Sequence, residues 1–250
     1  MRVAKPLAVR ALGGRVLALI PHADDETLGC GGLLATLFAR GVDVELVLVT
    51  DGGASHPGAR GHTRAQRTAV REAEFAAAVT YLGGRGRARL QFWRQPDGAL
   101  DRLDADYHRA RAAELAAWLR RGRYRTVLTP WRRDPHGDHR ATTAQLVAAR
   151  DLAGATATRT LEYAVWLGHQ GDARDFPTPG EASVYRFGCS RGLAARKRRA
   201  LAAHRSQFGE VFDDPTGFTI PHTLAAGVET AREYYFEAPT PGPRVNLVAP

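Results

Sequence analysis

Apolar and polar positions fall into blocks that repeat along the chain. Val16 to Ile20 is a short apolar run ending at Pro21, which predicts a buried strand. Leu33, Leu34, Leu37 and Phe38 then recur at helical spacing, and Gly41 stands where a C′ residue ends a helix. Val42 to Val49 predicts a second strand, and Thr63 to Leu82 a second helix with Val70, Ala73, Ala77 and Tyr81 on its apolar face. A third strand near 88–93 runs into the turn Gln95-Pro96-Asp97-Gly98. The helix predicted over 104–121 buries Tyr107, Leu115, Trp118 and Leu119, and a fourth strand, 126–129, also runs into a proline. After His139 a helix follows with Leu146 and Val147 as its apolar face. Strands at 161–166 and 184–189 and a helix at 193–207 complete the pattern, and beyond Phe208 the sequence reads as irregular.

Strands alternating with helices predict parallel pairing through right-handed crossovers. The fold class expected is α/β: a doubly wound, Rossmann-like, mostly parallel sheet with helices on both faces. A strand order of 3-2-1-4-5 would put the topological switch between strands one and four. No linker, repeat or low-complexity tract divides the chain, so one domain is expected over 1–250, with the motif-bearing part at 15–150 and an extension of the same domain at 151–250.

Composition narrows the setting. With 250 residues, 44% of them hydrophobic, the chain can build a sizeable core without staples. The two cysteines, Cys30 and Cys189, make no CxxC pair, and no apolar stretch forms a signal-peptide core or a membrane span, so a cytoplasmic protein is expected. The net charge of +9 raises nucleic acid as a partner. The one dense basic cluster, Arg191 to Arg199, has no interleaved aromatics, which reads against nucleic acid and for a solvated helix face. A small-molecule partner is expected instead; the oligomeric state is not legible.

The chemistry gathers at the two strands that flank the switch. One ends in Pro21-His22-Ala23-Asp24-Asp25-Glu26 and the other leads to Asp134-Pro135-His136-Gly137-Asp138-His139, so one crevice receives both clusters. Two imidazoles and a carboxylate make an N,N,O set for a catalytic zinc with an open position. A second carboxylate can take a proton from water, and a further histidine can face the tetrahedral species. Spacing leaves open whether Asp24 or Asp25 binds the metal.

These motifs resemble those of the PIG-L/LmbE-like zinc-dependent N-deacetylases: residues 21–26 their (A/P)HPDDE motif and 136–139 their HxDH motif. Thr50-Asp51-Gly52, Arg71 with Glu74, Ala78, Leu82 and Gly83, and Asp97-Gly98 add to the likeness, which covers roughly 15–150, while Lys197, Ser206 and Gln207 carry a weaker echo. The resemblance implies His22, Asp25 and His139 as ligands of one zinc per chain, with another divalent ion such as Fe2+ as the alternative. It implies Asp24 as general base, His136 facing the oxyanion or leaving amine, and Asp138 holding His136 from behind. Arg71 and Asp97 would contact sugar hydroxyls. The reaction implied is removal of an N-acetyl or related acyl group from an N-acetylglucosamine-containing or similar small amide. Ala23 departs from the family's usual proline but supplies no ligand atom.

Two rival readings follow from the same residues: a metal-dependent phosphoesterase, and a basic binding protein with a relict site. Gly29-Cys30-Gly31 does not complete a dinucleotide fingerprint. His56, His62, His108, His169, His204 and His222 read as structural, with His56 and His62 near the pocket rim. Loops at 53–62, 94–101 and 168–182 are where specificity is expected.

Overall fold

The computed structural model describes residues 4–154, 158–228 and 232–238. Its eight strands are β1 (Lys5–Pro6), β2 (Val16–Ile20), β3 (Val44–Thr50), β4 (Ala88–Gln95), β5 (Thr126–Pro130), β6 (Arg159–Tyr163), β7 (Ser183–Gly188) and β8 (Arg232–Glu237). They form one sheet in the order β1-β7-β8-β6-β5-β2-β3-β4. From β4 to β6 every pairing is parallel, in the order expected, so the switch lies between β2 and β5. Each residue of β2, β3 and β5 is buried, as strands covered on both faces must be.

The helices are α1 (Asp25–Ala39), α2 (Arg64–Val79), α3 (Ala105–Gly122), α4 (Gly137–Ala153), α5 (Leu167–Gln170), α6 (Arg191–Leu201) and α7 (His222–Gly227). Leu33, Leu34, Leu37, Phe38 and Phe75 join Val16, Ala18 and Ile20 in one apolar cluster, and Leu115, Leu119 and Leu146 join Leu17 and Leu19 in the other. Thus α1 and α2 cover one face of the sheet and α3 and α4 the opposite one.

Three expectations need correction. The buried residues of α2 are Arg67, Arg71, Glu74, Phe75, Ala78 and Val79, whereas Ala73 and Tyr81 face solvent. An alanine-rich helix gives a weak periodic signal, and here the buried stripe carries ionic groups. On α4, Leu146 is buried but Val147 is exposed. The region beyond Phe208 contains α7 and β8, and β8 lies antiparallel between β6 and β7. Its pattern is interrupted by Glu233, which is nonetheless buried.

Glu233 explains an irregularity in α1. The helix loses helical geometry at Cys30, and its second half begins with amides that Glu233 satisfies, from Gly32 at 2.6 Å and Leu33 at 3.0 Å. Lys197 Nζ donates to the same carboxylate at 2.7 Å and the Tyr235 hydroxyl at 2.8 Å. A side chain at Gly32 would collide with Cys189, so the close approach requires glycine.

Candidate functional site

The end of β2 turns into α1 through a backbone that few residues tolerate: Asp24 has φ 137°. Glu26 holds this turn from within the core. It accepts from Asp24 N at 2.9 Å and from Thr27 Oγ1 at 2.6 Å, and its Oε1 lies 2.8 Å from His204 Nε2. Arg71 Nη2 donates to the Ala23 carbonyl, a group that proline would also offer, and lies 3.4 Å from Asp24 Oδ2.

Across the switch, His136 caps α4, its Nδ1 accepting from Asp138 N at 3.2 Å. That bond leaves the ring proton on Nε2. Three sequence-predicted residues meet here. His22 Nδ1 lies 3.2 Å from Asp25 Oδ2 and 3.3 Å from His139 Nε2, and the last two atoms are 3.1 Å apart. Ligand atoms on a tetrahedral ion with bonds of about 2.0–2.1 Å are separated by about 3.3 Å. The trio therefore fits a small divalent ion. The His136 ring stands close by, its centroid 4.6 Å from that of His22 and 4.9 Å from that of His139.

Each imidazole of the trio is backed by a carboxylate. His139 Nδ1 is 3.1 Å from Asp134 Oδ1, and Asp134 also accepts from His136 N and Trp166 N. His22 Nε2 is 3.0 Å from Asp138 Oδ2. The expected support of His136 by the Asp138 carboxylate is thereby corrected: the carboxylate accepts from Gly98 N at 2.7 Å, Leu100 N at 2.9 Å and the His22 ring, and only the Asp138 amide meets His136. Asp97 lies beside this group, with Oδ2 accepting from Ala54 N and Oδ1 3.4 Å from His22 Nε2. His22, His136 and His139 also form a cluster of metal-ligating types, and His22, Asp97 and Asp138 form another. The latter uses the other nitrogen of the same ring, and its Asp138 is already engaged by two amides.

The electrostatics follow from burial and these contacts. Burial raises the Asp24 carboxyl to about 6; Arg71 offsets part of the effect and Asp25 adds to it. Burial alone would raise Asp25, but His139 and His22 outweigh it and hold this carboxyl far below the usual range. Burial would lower His139, yet Asp25 and Asp134 hold it up at about 9. His136 has no such anion in contact; burial, then His22 and His139, push it down to about 3. A site that stabilises positive charge between Asp25, His22 and His139, and keeps His136 neutral, suits a cation with a neutral hydrogen-bond donor opposite.

A cavity of about 360 Å³ opens on this group, with His22, Asp24, Asp25, Arg71, Asp97 and His136 in its wall. Arg71 is 2% exposed and its Nε and Nη1 have no partner among the described residues. Gln207 Oε1 is in the same position. The three expected loops contribute Ala54 and Ser55, Asp97 and Gly98, and Gln170, but His56 is turned away onto Phe212. Sequence reasoning gave no role to Glu26, Asp134, Trp166 and Phe218, while its structural reading of His204 fits the buried contact of that ring with Glu26. Asp134 and Trp166 had a usable signal, since the first follows a predicted strand and the second ends one, both on the carboxyl side of the sheet. The weak echo proves structural in part: Lys197 pairs with Glu233, and Ser206 donates to Glu74 at 2.6 Å.

Comparison with known proteins gives the following. The family model described as PIG-L, GlcNAc-PI de-N-acetylase, matches residues 17–150. The solved A40926 pseudoaglycone deacetylase Dbv21 is 22% identical over 90% of this chain and 97% of its own, with a TM-score of 0.67. N,N'-diacetylchitobiose deacetylase from Pyrococcus horikoshii is 20% identical over 84% of this chain and 72% of its own, TM-score 0.59. GalB, the 4-carboxy-2-hydroxymuconate hydratase of Pseudomonas putida, is 17% identical over 95% of this chain and 100% of its own, TM-score 0.63. At these identities the likeness is one of fold, and the fold serves a hydratase as well as deacetylases. No curated protein matches the sequence. Among the described residues no helix is long and apolar enough to cross a membrane.

Proposed function

Since this chain belongs to the PIG-L family, described as GlcNAc-PI de-N-acetylases, we propose that it is a zinc-dependent N-deacetylase acting on an N-acetylglucosamine-containing or similar small amide. The family and the deacetylase neighbours support the reaction class. The observation that carries the zinc reading is the trio of His22 Nδ1, Asp25 Oδ2 and His139 Nε2 at 3.1–3.3 Å from one another. Its two free cysteines suit a cytoplasmic enzyme.

His22, Asp25 and His139 hold the ion, one per chain. Bound there, zinc supplies Lewis-acid polarisation of the amide carbonyl and of water. Asp24, in the cavity wall beside the trio, takes the proton from water as it attacks and passes it to the departing amine. His136, its Nδ1 occupied by the α4 cap, donates Nε2–H to the developing oxyanion. Asp138 fixes the His22 ring and Asp134 the His139 ring. Arg71 and Asp97 take the sugar hydroxyls.

Elemental analysis paired with a free-amine assay on N-acetyl sugars and glycoconjugates tests this reading. The expected outcome is close to one zinc per chain together with amine release. Asp24→Asn should keep the metal and lose turnover, and His139→Ala should lose metal. Undiminished turnover in the first variant removes Asp24 as the base; full occupancy in the second removes His139 from the ligand set.

A further inference from the structure

The chemistry proposed above uses only the inner end of the cavity. Arg71 Nε and Nη1 and Gln207 Oε1, unpartnered and in its wall, suit the hydroxyls of a sugar ring. None of these groups accounts for the apolar stretch of the remaining wall, made by Leu28, Trp166 and Phe218 beside the polar Ser55 and Gln170. Exposure rises from 5% at Asp24 and 7% at Trp166 to 37% at Phe218. Phe218 therefore stands at the mouth, with Trp166 behind it.

The Phe218 ring is held rather than loose. Trp166 meets it edge-on, with centroids 5.9 Å apart. Its own amide donates to the Ser55 carbonyl at 2.8 Å. The neighbouring segment is clasped as well: Asp214 accepts from Gly58 N at 2.7 Å, and the His56 ring fills the space where a side chain at Gly217 would stand. Trp166 N donates at 3.0 Å to Asp134, the carboxylate beside His139. The aromatic pair and the catalytic group thus share one frame. A preorganised apolar surface gains from being covered without the cost of ordering it first.

We propose that Phe218, braced by Trp166, is a specificity-determining residue that stacks on an aromatic or apolar group attached to the amino sugar. The substrate class is then an N-acyl amino-sugar glycoside with such an aglycone, rather than the free monosaccharide. The inference rests on the deacetylase reading for where the sugar lies, so its test measures binding separately from turnover.

The zinc-loaded full chain is titrated calorimetrically with the phenyl and the methyl β-glycosides of glucosamine, the amines that deacetylation would release. The phenyl glycoside should bind about tenfold more tightly, as expected of an aromatic contact with a fixed partner. Phe218→Ala should bring the two ligands within about twofold of each other, Phe218→Leu should behave similarly, and Phe218→Tyr should restore the preference. Equal affinities in the wild type, including binding of neither ligand, overturn the inference, as does a preference that survives in both ring-less variants. Acetate release from the methyl and phenyl N-acetyl glycosides is followed in parallel. Release without a phenyl preference overturns this inference alone, and a phenyl preference with no release from any glycoside overturns the deacetylase reading alone.

Discussion

Asp138→Asn separates two ways of building the site. Three N–H groups converge on this carboxylate, from Gly98 at 2.7 Å, Leu100 at 2.9 Å and the His22 ring at 3.0 Å, and the residue is 1% exposed. An asparagine is nearly isosteric, but one of its two polar ends donates. At least one buried N–H then faces another donor, and each bond that remains loses its charge. The expected loss is about 2–4 kcal/mol in urea unfolding of the metal-free protein, which leaves a chain of ordinary stability folded. Because the carboxylate backs His22, zinc affinity measured by chelator competition should also fall, by about 10- to 100-fold. His136→Ala, by contrast, should impair turnover while leaving zinc affinity close to that of the parent. Were zinc affinity to hold in Asp138→Asn and collapse in His136→Ala, the ion would sit among His22, His136 and His139, and the trio drawn above would be wrong.

Further outcomes follow from other contacts. Glu233→Ala leaves the buried Lys197 ammonium without its partner and should cost about 3–5 kcal/mol in urea unfolding; a loss below about 1 kcal/mol would mean that the pair contributes little. His204, raised above its ordinary 6.5 because Glu26 outweighs the lowering by burial, contributes stability that is complete below about pH 6.5 and is lost as pH rises through its folded value. The difference in melting temperature between the parent and His204→Gln should therefore shrink from about pH 6.5 upward, and a difference that grows with pH would contradict the assignment. Ala23→Pro keeps the carbonyl that Arg71 uses and should stabilise by about 0.4–1 kcal/mol through the unfolded chain; destabilisation in a thermal melt would mean that the turn at 23 rejects the ring.

The strand order through β4, β3, β2, β5 and β6 was legible because parallel strands need crossovers, and runs such as Val16–Ile20 have no other place than the middle of a sheet. The switch point followed, and with it the meeting of residues 22–26 with 136–139. What escaped was carried by buried charge. Arg71 and Glu74 occupy the inner stripe of α2, so a search for apolar periodicity chose the alanine-rich outer one. Glu233 interrupted the apolar pattern of β8 in the same manner, and its partner Lys197 lies on another element. The direction of Asp138 was equally invisible: spacing puts it near His136, and only the path of Gly98 and Leu100 across the crevice turns its carboxylate to His22.

The break in α1 at Cys30 has a bearing on the order in which the chain is made. The half-helix beginning at Gly32 is capped by a carboxylate 201 positions further on, while the half that starts at Asp25 carries a residue of the proposed metal trio. During synthesis the acidic turn emerges well before β8, and its support must wait until β8 has left the ribosome. A chain halted before Glu233 would present the motif in full yet hold the Gly32 and Leu33 amides and the Lys197 ammonium unpaired. C-terminal shortening should therefore be felt at residues 22–25, far from the cut in sequence, and the site is completed only once β8 has been made, long after its own first residues.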